Sequence, residues 1–141
     1  MLPFLILAVA AAAPAKAAPP EDRGTACTRL ALSDPARAIA EANAWRLVGG
    51  GVAARQCLGM AYVQDERWMS AATAFEQAAH EAQTANDPRA ATLWSQAGNA
   101  ALAGGDPSRA RASLDSALIA GTLSDPMRGE AELDRARADV A

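Results

Sequence analysis

The sequence predicts an all-helical fold made of stacked antiparallel helix hairpins. Three observations carry this reading. Asp-Pro occurs at 34–35, 87–88, 106–107 and 125–126, and an Arg-containing, Ala-rich segment follows each time. An Asp N-cap followed by Pro at the first helical position starts a helix, because the carboxylate accepts a free N–H and the ring pre-sets φ. Glycine runs at 49–51 and 104–105 supply stops. β-Branched residues are few and no apolar/polar alternation appears, so no strand is expected.

The elements follow in order. Residues 1–17 read as a secretory signal peptide, with an apolar run too short to span a bilayer and then Ala15-Lys16-Ala17, a small-x-small cleavage pattern. An uncleaved anchor is the rival reading, since no Lys or Arg precedes the apolar run. Residues 18–23 are a flexible N-terminal segment, and 24–141 form the helical domain. Seven helices are expected, at about 24–32, 35–48, 52–64, 67–85, 88–103, 107–120 and 126–140. In the last, Gly129, Leu133, Ala136 and Val140 are expected to line the packed face, with charged residues covering the rest.

Removing Lys16, the only lysine, takes the formal charge from −3 to −4. The charges are interspersed, with no basic block, so nucleic acid and anionic membrane surfaces are poor partners. Arginine without lysine, beside heavy alanine use, reads as coding bias in a GC-rich bacterium and carries no functional weight.

Small and bulky positions recur in register. Leu58, Gly59 and Tyr62 are followed by Ala71, Phe75 and Ala78. Trp94, Gly98 and Ala101 are followed by Ala110, Leu114 and Ala117. Each Gly precedes the first Ala of its triplet by the same interval, and each triplet keeps to one helix face. This pattern resembles the tetratricopeptide repeat family, whose motif runs Trp-x-x-Leu-Gly-x-x-Tyr, then Ala-x-x-x-Phe, then Pro. Arg55 stands in place of the first Trp, Ala101 in place of Tyr, and neither copy has the closing Pro. Ala38, Ala42 and Trp45 fit the triplet positions of a degraded first copy.

The resemblance implies a right-handed solenoid of about three hairpins with a C-terminal capping helix. It places Gly59 and Ala71 where paired helices approach closely, and Phe75 and Tyr62 between neighbouring hairpins. It puts Cys27 and Cys57 on adjacent first helices, where a disulfide suits an oxidising periplasm. Two buried free thiols, and a lipid-modified Cys27, are the alternatives. It also implies a concave groove lined by Gln56, Met60, Val63 and Gln64, then by Ser95, Asn99 and Leu102. That groove is expected to be neutral, and an uncharged extended peptide is its natural ligand.

Chemistry has little to build on. The single histidine, His80, sits in a helical pattern beside Glu81. The glycine runs lack the Gly-Lys-Ser/Thr ending of a phosphate-binding loop. No metal or cofactor is expected. The expectation is a non-catalytic protein- or peptide-binding module, periplasmic or secreted. The alternatives are a homo-oligomeric structural subunit whose groove is filled by its own chain, and a hydrolase using His80.

Overall fold

The computed structural model describes residues 21–141. These form seven helices: α1 (Arg23–Ser33), α2 (Pro35–Leu47), α3 (Gly51–Gln64), α4 (Trp68–Thr84), α5 (Ala90–Ala103), α6 (Pro107–Ala120) and α7 (Asp125–Val140). No strand occurs among the described residues. The proposed signal peptide lies outside them.

Local chemistry sets the helix ends. Asp34 and Asp106 cap α2 and α6, accepting from the backbone N–H of Arg37 and Arg109. The other two Asp-Pro pairs behave differently from expectation. Asp87 accepts from Arg89 N–H, only two residues on, which holds a turn and delays α5 to Ala90. Asp125 is already inside α7, with Ser124 as its N-cap residue. At the other end, α3, α4 and α5 close with one shared turn. Arg67 N–H donates to Tyr62 C=O, Asp87 to Ala82 and Asp106 to Ala101. The residue before each donor is left-handed: Glu66 (φ 55°), Asn86 (φ 54°) and Gly105 (φ 79°). Glycine flags only one of these three stops, which is why the sequence reading marks it most clearly.

Packing is between neighbours in the chain. Each helix packs on the next, and α1 on α3 and α5 on α7 pack as well. The main core runs from α3 to α7 and is mostly alanine, with Phe75, Leu93 and Leu114 the large fully buried side chains. Two smaller clusters hold α1 and α2 against α3 and α4.

Glycine positions explain the close pairs. A Cβ on Gly59 would lie 2.6 Å from the Phe75 ring, and one on Gly98 would lie 2.5 Å from Leu114 Cγ. Phe75 therefore fills the α3–α4 pair itself, rather than only a space between hairpins. Ala71, Ala78, Ala110 and Ala117 are fully buried, and Leu58 and Trp94 nearly so. Arg55, where the repeat motif has Trp, pairs with Glu81 of α4 at 2.5 Å. Tyr62 is half-buried and takes the Arg67 guanidinium over its ring.

Ion pairs tie α6 to both α4 and α7. Arg109 of α6 grips Glu76 of α4 through Nε and Nη2, both at 2.7 Å, and also reaches Thr73. That hydrogen bonding pushes the Arg109 guanidinium above its usual range. Arg135 pairs with Asp115, and Arg111 with Asp139 at 2.9 Å, joining α7 to α6.

The last helix corrects the sequence reading. Its packed side carries Met127, Ala131 and Ala138, and the Arg135 and Asp139 anchors lie beside it. Gly129, Leu133, Ala136 and Val140 are all exposed. Alanines let α7 lie close to α6, so the bulkier stripe is turned outward.

Candidate functional site

The sulfurs of Cys27 and Cys57 are bonded, with their Cα atoms 5.8 Å apart. The free-thiol and lipid-modified readings are thereby set aside. The bond ties α1 to α3 and suits an oxidising extracellular environment. Among the described residues no helix is long and apolar enough to cross a membrane.

Three hollows lie along the odd-numbered helices. The first, of about 250 Å³, is bounded by Asp22, Thr25 and Thr28 of the α1 end, by Gln56 of α3 and by Arg89. The second, of about 230 Å³, lies between α3 and α5 and is lined by Met60, Val63, Trp68, Phe75, Gln96 and Asn99. The third, of about 210 Å³, lies between α5 and α7, against Thr92, Ser95, Gln96, Asn99, Met127, Glu130 and Asp134. Gln96 and Asn99 border both of the last two, so these form one continuous strip.

Five of the seven residues expected in the groove line these hollows: Gln56, Met60, Val63, Ser95 and Asn99. Gln64 is exposed at the end of α3, and Leu102 packs half-buried against the core. Neither borders the three hollows. Gln96 and Trp68 were missed. The signal for Gln96 is its spacing, since Thr92, Gln96 and Asn99 follow the helical repeat of one face.

Polar groups on this strip have unused capacity. Gln96 donates from Nε2 to Met60 Sδ at 3.8 Å. Its Oε1, and the Ser95 hydroxyl, are buried without a hydrogen-bond partner among the described residues. Buried polar atoms are ordinarily satisfied, and an unmade bond costs about 1–3 kcal/mol. The residues expected in the groove are themselves uncharged, and charged side chains stand at the margins of the hollows. Glu130 and Asp134 stand at the α7 end. Arg89 stands at the α1 end, its charge engaged by Asp87. The Arg89 hydrogen bonds hold the Asp87 carboxyl below its usual range.

The opposite face holds a larger hollow, of about 480 Å³, between α2, α3, α4 and α6. Asn43, Arg46, Ser70, Thr73, Gln77 and Arg109 supply its polar wall and Leu58, Tyr62 and Met69 its apolar one. Glu76 neutralises Arg109 there. One face of α4 supplies half of the lining, through Met69, Ser70, Thr73, Ala74 and Gln77, and three other helices, whose placement no local spacing announces, supply the rest.

His80 is exposed, its ring edge-on to Trp94 with centroids 4.6 Å apart. Among the described residues no three His, Cys, Asp or Glu side chains are grouped to hold a metal ion. No family model matches the chain, and no curated protein or solved structure matches it either.

Proposed function

We propose that this chain is a non-catalytic interaction module that binds an extended segment of another protein along α3, α5 and α7. The reading takes the stack to be tetratricopeptide-repeat-like and the protein to work in the periplasm after signal cleavage. The observation that carries it is the strip itself. Ser95 Oγ and Gln96 Oε1 have hydrogen-bond capacity to spare, and both residues line hollows between adjacent helices. Both oxygens are enclosed as the side chains stand, so each side chain turns into its hollow before a backbone N–H of an extended peptide donates to it, whatever the peptide's sequence. Met60 and Val63 give an adaptable apolar seat for one of its side chains. Glu130 suits a cationic residue at the α7 end.

The test is a partner cross-linked to the protein in its own cells, identified, and titrated against wild type and Met60→Ala/Asn99→Ala. Both side chains border the α3–α5 hollow. The double change is expected to weaken binding about tenfold or more, since each lost contact is worth about 1 kcal/mol. Unchanged affinity in a folded variant overturns the assignment and moves the site to the opposite face.

A further inference from the structure

The hollow between α2, α3, α4 and α6 is a second binding site, and we propose that it takes a small organic monocarboxylate. The carboxylate sits on Arg46 and its apolar body lies against Tyr62 and Met69. This site is on the face away from the α3, α5 and α7 strip and does not depend on the peptide reading.

Arg46 carries the argument. Most arginines among the described residues pair with a carboxylate. Arg23 and Arg67 instead lie over the rings of Trp45 and Tyr62. Arg46 has neither kind of partner among the described residues. Its Nη2 makes one long hydrogen bond, 3.4 Å, to Asn43 Oδ1, and its Nε is buried with no partner. A half-buried guanidinium left in this state is costly, because a charged donor gains most from an acceptor of opposite charge. Nε is enclosed, so the outer edge of the guanidinium, Nη1 with Nη2, is the edge an anion takes. That planar edge matches the two oxygens of a carboxylate. Asn43 accepts through Oδ1, which leaves its amide N–H groups to donate beside it.

The charge of the lining selects a monoanion. Arg109, the other cation in the wall, is held by Glu76 through Nε and Nη2. No carboxylate lines the hollow, so Arg46 is its one uncompensated charge. A phosphate dianion would be left half-neutralised and would meet the Glu76 carboxylate behind Arg109. The rest of the wall suits an apolar body. Met69 is 37% exposed, and Tyr62 and Leu58 continue its surface. A flexible thioether beside a ring accepts acyl and aryl shapes alike. The volume, about 480 Å³, falls within the range of small-molecule sites, about 300–1,000 Å³.

Two-dimensional NMR of the purified protein titrated with hexanoate tests this. The side-chain amide signals of Asn43 and Gln77 should shift and saturate at roughly millimolar ligand, the range open to so small a molecule. Hexylamine, with the same chain and the opposite charge, and uncharged hexanamide should bind at least about tenfold more weakly. Arg46→Gln should weaken hexanoate about tenfold with circular dichroism unchanged. Gln77→Trp, at an exposed position, should fill the hollow and abolish binding; it keeps the test decisive should Arg46→Gln fail to fold. The proposal is overturned if Asn43 and Gln77 show no saturable shift, or if hexylamine binds as well as hexanoate. It is equally overturned if hexyl phosphate binds more tightly, or if a folded variant keeps wild-type affinity.

Discussion

Replacing Gly59 by alanine adds one methyl group, and the structure fixes what that methyl meets. Three Phe75 ring atoms would lie 2.6, 2.7 and 2.8 Å from it. Ordinary carbon contacts are about 3.5–4.0 Å, so the ring must retreat by close to an ångström. Phe75 is 1% exposed and a phenyl ring has no flexible end to bend aside. Overpacking of this kind costs about 1–3 kcal/mol, and the rigid neighbour places it at the upper end. Alanine returns about 1 kcal/mol of helix propensity. The expected net loss is about 2 kcal/mol, or about 8 °C in Tm at roughly 4 °C per kcal/mol. Gly98→Ala should behave alike, since Leu114 and the Ala110 carbonyl crowd its site. Gly129→Ala meets open space and should gain about 1 kcal/mol. Thermal unfolding followed by circular dichroism gives all three values. Phe75→Leu should relieve part of the Gly59→Ala defect, a coupling of about 1 kcal/mol between contacting residues. A Gly59→Ala protein as stable as wild type, or a Gly129→Ala protein that loses stability like it, refutes the packing argument.

Reducing the Cys27–Cys57 bond, which spans 30 residues, should cost about 3–4 kcal/mol in the chain-entropy model; denaturant unfolding with and without reductant measures it. An equal midpoint in the two conditions contradicts it. Glu66 occupies a left-handed position (φ 55°) that a side chain disfavours, so Glu66→Gly should raise stability by up to about 1 kcal/mol, and a lower Tm would count against the shared turn. Thr25 hydrogen bonds hold Asp22 below its usual range, and Arg89 does the same for Asp87. Their folded values lie beneath the unfolded ones, so their stabilisation is complete above about pH 4 and is lost as pH falls through the folded values. Asp22→Asn/Asp87→Asn should therefore flatten the acid limb of a stability-against-pH curve; an unchanged limb rejects it.

The helical class and the ends of α2 and α6 were legible because Asp-Pro acts through nearest neighbours. So were the close contacts at Gly59 and Gly98, where a small residue and its bulky partner recur at one interval. Glu66 and Asn86 hide their stops, because the hydrogen bonds that hold a left-handed residue there come from the preceding helix. The outward turn of Leu133 and Val140 was not legible. α7 has two apolar faces, and which one packs depends on the alanines and arginines of α6 and α7 meeting in space. Gln56, Met60, Val63, Ser95 and Asn99 came from the repeat resemblance, which carries the groove positions over relative to Gly59 and Gly98, and not from spacing alone. The charged ends of the strip could not be reached either way, since Glu130, Asp134 and Arg89 come from elements whose mutual placement no spacing encodes.

The central claim is that the face of α3, α5 and α7 holds an extended protein segment. A photo-cross-linking amino acid placed at Asn99, and separately at Gln77 in the large hollow of the opposite face, tests it most directly in the producing cell. Both sites are exposed, so neither replacement disturbs the core. The account predicts a discrete adduct from Asn99, mapping to an extended, largely uncharged segment of one other protein, and none from Gln77. Adducts from Gln77 without any from Asn99 would contradict it.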